Sequence, residues 1–266
     1  MDARIFETHC HLNNAQFDGD LDATLQRARE AGVRELLLIG YDLESSRGVV
    51  ALADPARGLY AAAGIHPHDA VSWSTDTEAE LRRLLAAPGV IALGEIGLDF
   101  FRDLSPREAQ YPAFHAQLEL ALELDLPVVV HTRESSSSSL DVLEPYARRG
   151  LRGIMHCWSG TVEEARRARE LGLLLGVSGV VTYKKPGALP EVIAETPLEG
   201  LVLETDSPYL PPVPYRGKRN EPGYLPLIAS RVAEIKGLAV DEICHATRQN
   251  ALRLFRLEDT PDRSEN

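Results

Sequence analysis

His9 and His11, separated by Cys10 at the end of the chain's first apolar run (Ile5 to His11), have the spacing of a metal-binding pair. Alternate residues of an extended strand project to the same side, so both imidazoles can face one point while Cys10 faces the opposite layer. Two histidines on a strand are common without a metal, so the pair gains meaning only from what recurs downstream. His66, Glu95, His131, His156 and Asp206 each lie at the end of a later apolar run. Four imidazoles (His9, His11, His131, His156) with two carboxylates (Glu95, Asp206) suit Zn²⁺ and also accept Mn²⁺. Six such ligands are enough for two ions. Our reading assigns His9, His11 and Asp206 to one ion, His131 and His156 to the other, and Glu95 as the carboxylate bridging both.

Two cations held close together acidify a bound water, polarise a phosphoryl oxygen and stabilise the leaving oxygen of an in-line displacement. Phosphodiester hydrolysis fits that arrangement. Asp206, with a carboxylate oxygen to spare, is the expected general base. Around it, His66, Arg133, Arg216, Lys218 and Arg219 are expected to contact substrate phosphate, the last three from the loop after the eighth strand. Tyr209 and Tyr215 are candidates for stacking a base. Cys10 and Cys157 have the opposite strand parity to their histidine neighbours and read as small core residues. The chain has eight histidines; His68 follows His66 in a loop, and His115 and His245 fall in helical segments, where a structural role is expected.

The elements that must position these residues follow a βαβα rhythm repeated eight times. Strands are expected at Arg4 to Thr8, Glu35 to Ile39, Leu59 to Ile65, Val90 to Ile96, Val128 to Thr132, Gly153 to His156, Leu173 to Val177 and Leu201 to Thr205. Each is continuously apolar rather than alternating, as expected where both faces are covered. Helical periodicity occupies Leu21 to Ala31, Thr77 to Ala87, Arg107 to Leu124, Val162 to Leu171, Leu225 to Lys236 and Val240 to Leu254. This is the arithmetic of a (β/α)8 TIM barrel, whose active residues sit at the carboxyl ends of the strands. One α/β domain over residues 1–258 with a polar tail at 259–266 is expected. A doubly wound open sheet is disfavoured because no Gly-x-Gly-x-x-Gly follows the first strand. The serine run Ser135 to Ser139 and the Pro-rich Pro208 to Pro214 do not read as domain boundaries.

The 266 residues carry 28 basic and 40 acidic side chains, a net charge of −12. Such a field opposes indiscriminate binding of nucleic acid through its phosphates, so a polyanion must be held locally. Three scattered cysteines form no Cys-x-x-Cys pair and fit a reducing compartment. Neither a membrane span nor a secretion signal is apparent, and a cytoplasmic location is expected. Nothing points to a protein partner.

Seven motifs carry a specific resemblance over nearly the whole chain: Glu7-Thr-His-Cys-His-Leu, Gly64-Ile-His-Pro-His, Gly94-Glu-Ile-Gly-Leu-Asp, Pro127-Val-Val-Val-His-Thr-Arg-Glu, His156-Cys-Trp-Ser-Gly, Glu204-Thr-Asp-Ser-Pro-Tyr-Leu and Arg216-Gly-Lys-Arg-Asn-Glu-Pro. With them the chain resembles the TatD family of metal-dependent deoxyribonucleases, a branch of the amidohydrolase-like barrels. The resemblance implies a barrel binding one or two divalent ions (Mg, Mn or Zn) through His9, His11, Glu95, His131, His156 and Asp206. It also implies action on DNA, with a 3′-5′ exonuclease on single strands expected and RNA as a second substrate. The chain departs from the family pattern at Glu7, usually Asp, at Asn13, Thr132 and Trp158, and in the serine run. Glu7 is expected to reposition a hydrogen bond behind the ligands. The alternative is a barrel hydrolase acting on amides or esters, aminoacyl-tRNA included. Many such enzymes bridge their metals with a carboxylated lysine, and none of these strand ends carries one.

Overall fold

The computed structural model describes residues 4–258; the tail expected at 259–266 lies outside the described residues. Strands and helices alternate as β1 (Ile5–Cys10), α1 (Leu21–Glu30), β2 (Val33–Ile39), α2 (Leu43–Leu52), β3 (Leu59–Ala63), α3 (Thr75–Leu85), β4 (Val90–Asp99), α4 (Arg107–Glu123), β5 (Val128–Arg133), α5 (Ser136–Ala147), β6 (Gly153–Met155), α6 (Val162–Glu170), β7 (Leu173–Val177), α7 (Leu189–Glu195) and β8 (Leu201–Leu203). Two helices follow, α8 (Leu225–Lys236) and α9 (Val240–Phe255). All eight strands pair in parallel and in sequence order, the expected barrel. The main departures in extent are β4, which runs three residues beyond Ile96 to Asp99, and β3, β6 and β8, which stop short of their expected ends.

Closure between first and last strands is slight and lies where it matters. Cys10 pairs with Ser207, the His11 amide donates to the Ser207 carbonyl at 2.7 Å, and the Asp206 amide donates to the His9 carbonyl at 2.9 Å. The first and last of the expected ligands in the chain are therefore joined by the backbone bonds that close the barrel.

β1 is not a regular strand. Phe6 packs in the inner cluster with Leu37, Ala62, Val129, Ile154 and Val202, whereas Cys10 packs in the outer layer between sheet and helices. Residues four apart on an ideal strand share a face, so one residue must be inserted between them. The register against β2 shifts on both sides of Glu7 accordingly. Parity counted across this bulge fails, although it holds locally for His9 and His11.

The opposite end of the barrel is plugged by α9, whose Ala251, Leu252, Leu254 and Phe255 join the inner cluster, with the Phe255 ring 5.6 Å from that of Phe6. Beside this plug, buried Arg248 meets buried Glu35 of β2 through two hydrogen bonds of 2.9 and 2.7 Å. Removing one member of a buried pair strands the other charge. Glu35→Ala is therefore expected to cost about 3 kcal/mol, read as a lower urea midpoint at unchanged slope.

Candidate metal centre

At the open end, Nε2 of His9 and Nε2 of His11 lie 3.2 Å apart. The His11 ring is oriented by Nδ1, 3.1 Å from the Ile39 carbonyl. A neutral imidazole donating there leaves Nε2 as a free ligand. Asp206 Oδ1 is 3.4 Å from His11 Nε2 and 3.7 Å from His9 Nε2, so these three donors converge as expected. The His156 ring stacks on His9 at 3.4 Å between centroids.

Glu95, on β4, has one oxygen for each side of the cluster. Oε2 is 3.5 Å from His9 Nε2 and 3.8 Å from His11 Nε2. Oε1 is 2.9 Å from His131 Nδ1, 3.6 Å from His66 Nε2 and 4.0 Å from His156 Nε2. A carboxylate so placed can bridge two cations. The grouping around Oε1 differs in detail from the expected one: His131 gathers with Glu95 and His66, while His156 gathers with Glu95 and His9.

The His66 Nδ1 accepts the His68 amide at 3.1 Å. Its neutral form must then carry the proton on Nε2, making His66 a donor toward the cavity rather than a metal ligand. Burial, with the neighbouring His131, lowers its pKa to about 4, which keeps it neutral.

Behind two of the imidazoles stand carboxylates that the sequence reading did not assign to the site. Asp99 Oδ2 lies 3.0 Å from His131 Nε2 and 2.9 Å from His68 Nε2, while its Oδ1 accepts the Phe101 and Arg102 amides. Glu204 Oε1 lies 2.9 Å from His156 Nδ1 and accepts the Cys157 amide at 2.5 Å. Both acids are fully buried. Glu204 fits only because residue 176 is glycine; a Cβ there would meet the carboxylate at 2.5 Å. The His131–Asp99 pair is a histidine hydrogen-bonded to a carboxylate on the nitrogen away from the cluster, which fixes ring orientation and raises ligand basicity, whereas Glu204 stands against His156 as an ionic neighbour without a well-aligned hydrogen bond. The missed signal was spacing: Asp99 follows Glu95 by four residues on one strand.

The electrostatics suit cations. Burial would lower the His156 pKa, but Glu204, Asp206 and Glu95 override it and push it up to about 10. Burial opposes ionisation of Asp206, yet His11, His156 and His9 hold its pKa below the usual carboxylate value. Carboxylates gathered with imidazoles in this way attract positive charge, and the donor set fits Zn²⁺ or Mn²⁺.

Glu7 behaves differently from expectation. Its Oε1 accepts the amides of His9 (3.0 Å) and Thr205 (2.9 Å), so it ties the ends of β1 and β8 together by their backbones. His9 Nδ1 has no partner among the described residues. Burial pushes the Glu7 pKa up to about 8 against those hydrogen bonds.

Cys10 is a core residue, as expected. Cys157 is not: it is only partly buried, lines the cavity and lies beside His156 and Glu204. Desolvation, with Asp206 and Glu204 nearby, raises its pKa well above the usual thiol value, so it is no nucleophile.

The cavity above the ligands measures about 640 Å³ and is lined also by Tyr41, Arg102, Arg133 and Tyr209. Arg133 makes no ion pair among the described residues; its guanidinium lies 4.1 Å over the Phe101 ring. Arg216 and Lys218 are exposed outside this cavity, over Tyr183 at 3.8 Å and Tyr215 at 5.6 Å. Tyr215 is itself stacked on Tyr224. The expectation for Arg219 needs correction: its guanidinium is committed to Asp20 at 2.7 and 2.8 Å and packs over Phe17, away from the cavity.

Asp99→Asn should separate orientation from structure. Asn keeps the oxygen that accepts the Phe101 and Arg102 amides but replaces Oδ2, the acceptor for His131. Affinity for one metal equivalent is expected to fall about 10- to 100-fold, with little change in melting temperature, as read by metal titration and thermal unfolding.

The family model described as "TatD related DNase" matches residues 6–256. An uncharacterized metal-dependent hydrolase, YabD, of Bacillus subtilis is 37% identical over 95% of this chain and 99% of its own length. A protein of Pantoea vagans named 3′-5′ ssDNA/RNA exonuclease TatD is 40% identical over 95% of this chain and 100% of its own. Among solved structures, the TatD homolog YJJV of Escherichia coli superposes with a TM-score of 0.90 at 34% identity, covering 97% of this chain and 100% of that one. With agreement of this extent in sequence and in fold, the chain belongs to the TatD-related DNase family.

Proposed function

We propose that this protein is a divalent-metal-dependent nuclease that removes nucleotides from the 3′ end of single-stranded DNA and also acts on RNA. The observation that carries the reading is Glu95, whose two oxygens face two different groups of histidines, with Asp206 beside one of them at the barrel seam. His9, His11 and Asp206 would hold one ion and His131 and His156 the other, with Glu95 between; donor type favours Zn or Mn, and the family resemblance adds Mg. When bound, such ions supply Lewis acidity and an acidified water.

The chain's own residues do the rest. Asp206, ionised and partly open to the cavity, accepts the proton of the attacking water. His66 donates from Nε2 to a phosphoryl oxygen, and Arg133 offers a guanidinium free of ion pairs. Tyr209, about half exposed above the cluster, is placed to stack the terminal base, and Arg216 and Lys218 form a basic rim further out. No described helix is long and apolar enough to cross a membrane. We place the activity in the cytoplasm, in keeping with three unpaired cysteines.

The test is to incubate metal-stripped protein with 3′- and 5′-labelled single-stranded DNA or RNA, with and without Mg²⁺, Mn²⁺ or Zn²⁺. Metal-dependent, stepwise loss from the 3′ end is expected. Hydrolysis of small esters, amides or aminoacyl-tRNA with no cleavage of either polymer would move the assignment to the amide and ester hydrolases.

A further inference from the structure

Beside the ligand cavity lies a second one of about 420 Å³, and Arg133 and Ser159 line both. Phe101 and the serine-rich start of α5 form much of its remaining wall. Of its lining, the reaction described above uses Arg133 alone. We propose that it is the subsite for the nucleotide on the 5′ side of the scissile bond, with its phosphate held by Arg133 and the Ser136 to Ser138 turn and its base laid on Phe101. The inference rests on the nuclease reading and adds where the strand leaves the metal centre.

Three independent features support it. Arg133 is exposed and next in sequence to Glu134, yet it makes no ion pair among the described residues and stacks on Phe101 instead. Stacking fixes the guanidinium plane while leaving its N–H groups for an oxyanion. Phe101, 55% exposed, offers a flat apolar face on the wall of this second cavity, which any base can stack upon regardless of sequence. At the start of α5, the Ser135 hydroxyl is diverted: it donates to the Leu98 carbonyl at 2.6 Å and accepts the Arg133 amide at 3.1 Å. It therefore does not cap the helix, and no acidic side chain occupies the first turn. Small hydroxylic residues at an uncapped helix start thus line a cavity that also holds a cation with no ion pair among the described residues.

The two carboxylates on this wall do not close it to phosphate. Glu164 is engaged by the Thr161 amide and hydroxyl at 2.7 and 2.9 Å. Glu134 is exposed, so solvent and salt screen its repulsion of an anion.

The experiment uses the metal-loaded protein and oligonucleotides in which one linkage at a time is an uncharged methylphosphonate. Neutralising the linkage immediately 5′ of the scissile bond is expected to raise KM about tenfold with kcat nearly constant, and linkages further along should matter less. Ser137→Glu places a negative charge in the cavity at an exposed position. It should raise KM for the all-phosphate strand about tenfold, after which the methylphosphonate at that linkage costs nothing more. An acidic residue in a first turn favours the helix, so an unchanged or higher melting temperature will exclude unfolding as the cause. A scan with no peak at that linkage, in enzyme that still trims DNA, overturns the subsite and leaves the nuclease reading intact. Failure to cleave any oligonucleotide overturns both.

Discussion

Asp206→Asn is expected to lower kcat on single-stranded DNA by about three orders of magnitude, while much of the bound metal is retained. The substitution is nearly isosteric, so an amide oxygen still faces His11, His9 and His156, which lie 3.4, 3.7 and 3.8 Å from Oδ1 in the native site. What disappears is basicity. In the native protein burial disfavours the charged carboxylate, but three imidazoles hold it ionised through neutral pH. An amide cannot take a proton from water at any accessible pH. The backbone bond from residue 206 to the His9 carbonyl survives, so the barrel seam stays closed. The measurement pairs steady-state kinetics with metal analysis of the same preparation. A kcat within tenfold of wild type would remove Asp206 from the role of general base and leave it a ligand. Loss of both metal equivalents would instead show that its binding role dominates.

The barrel was legible because strands covered on both faces read as uninterrupted apolar runs, and because ligand-type residues ended six of them. What stayed hidden depended on register or on distant partners. Asp99 was missed because β4 continues through Ile96, Gly97 and Leu98, an apolar stretch that gives no sign of where pairing stops; its eventual partner is β5. That Glu7 bonds the backbone amides of His9 and Thr205 was hidden because the bulge beside it follows from pairing with β2. Arg219 looked like a phosphate ligand because it stands in a basic loop. Its partner Asp20 is 199 residues away, a contact no local pattern announces. The serine run was legible as a departure from the family pattern, but that it forms the wall of a cavity at the start of α5 required the structure.

Glu95→Ala is expected to reduce metal binding from about two equivalents to one or fewer, and cleavage by at least about a thousandfold. The argument is geometric. Among the described residues, Glu95 is the carboxylate within 4 Å of five imidazoles, divided between its two oxygens. His9, His11 and Asp206 remain after the substitution and still form a three-donor group. The other side is left with His131 and His156, too few donors for tight binding of a labile divalent ion. Asp99 would still orient the His131 ring and Glu204 would still stand against His156, so the loss would not arise from collapse of the pocket. Raising the metal concentration should restore occupancy of the weakened side only partly, and activity should follow the second equivalent rather than the first. Isothermal titration of the stripped variant, with activity measured at each metal ratio, makes that distinction. If the alanine variant binds two equivalents with wild-type affinity, Glu95 does not bridge, and the two histidine groups must hold their ions without a shared carboxylate.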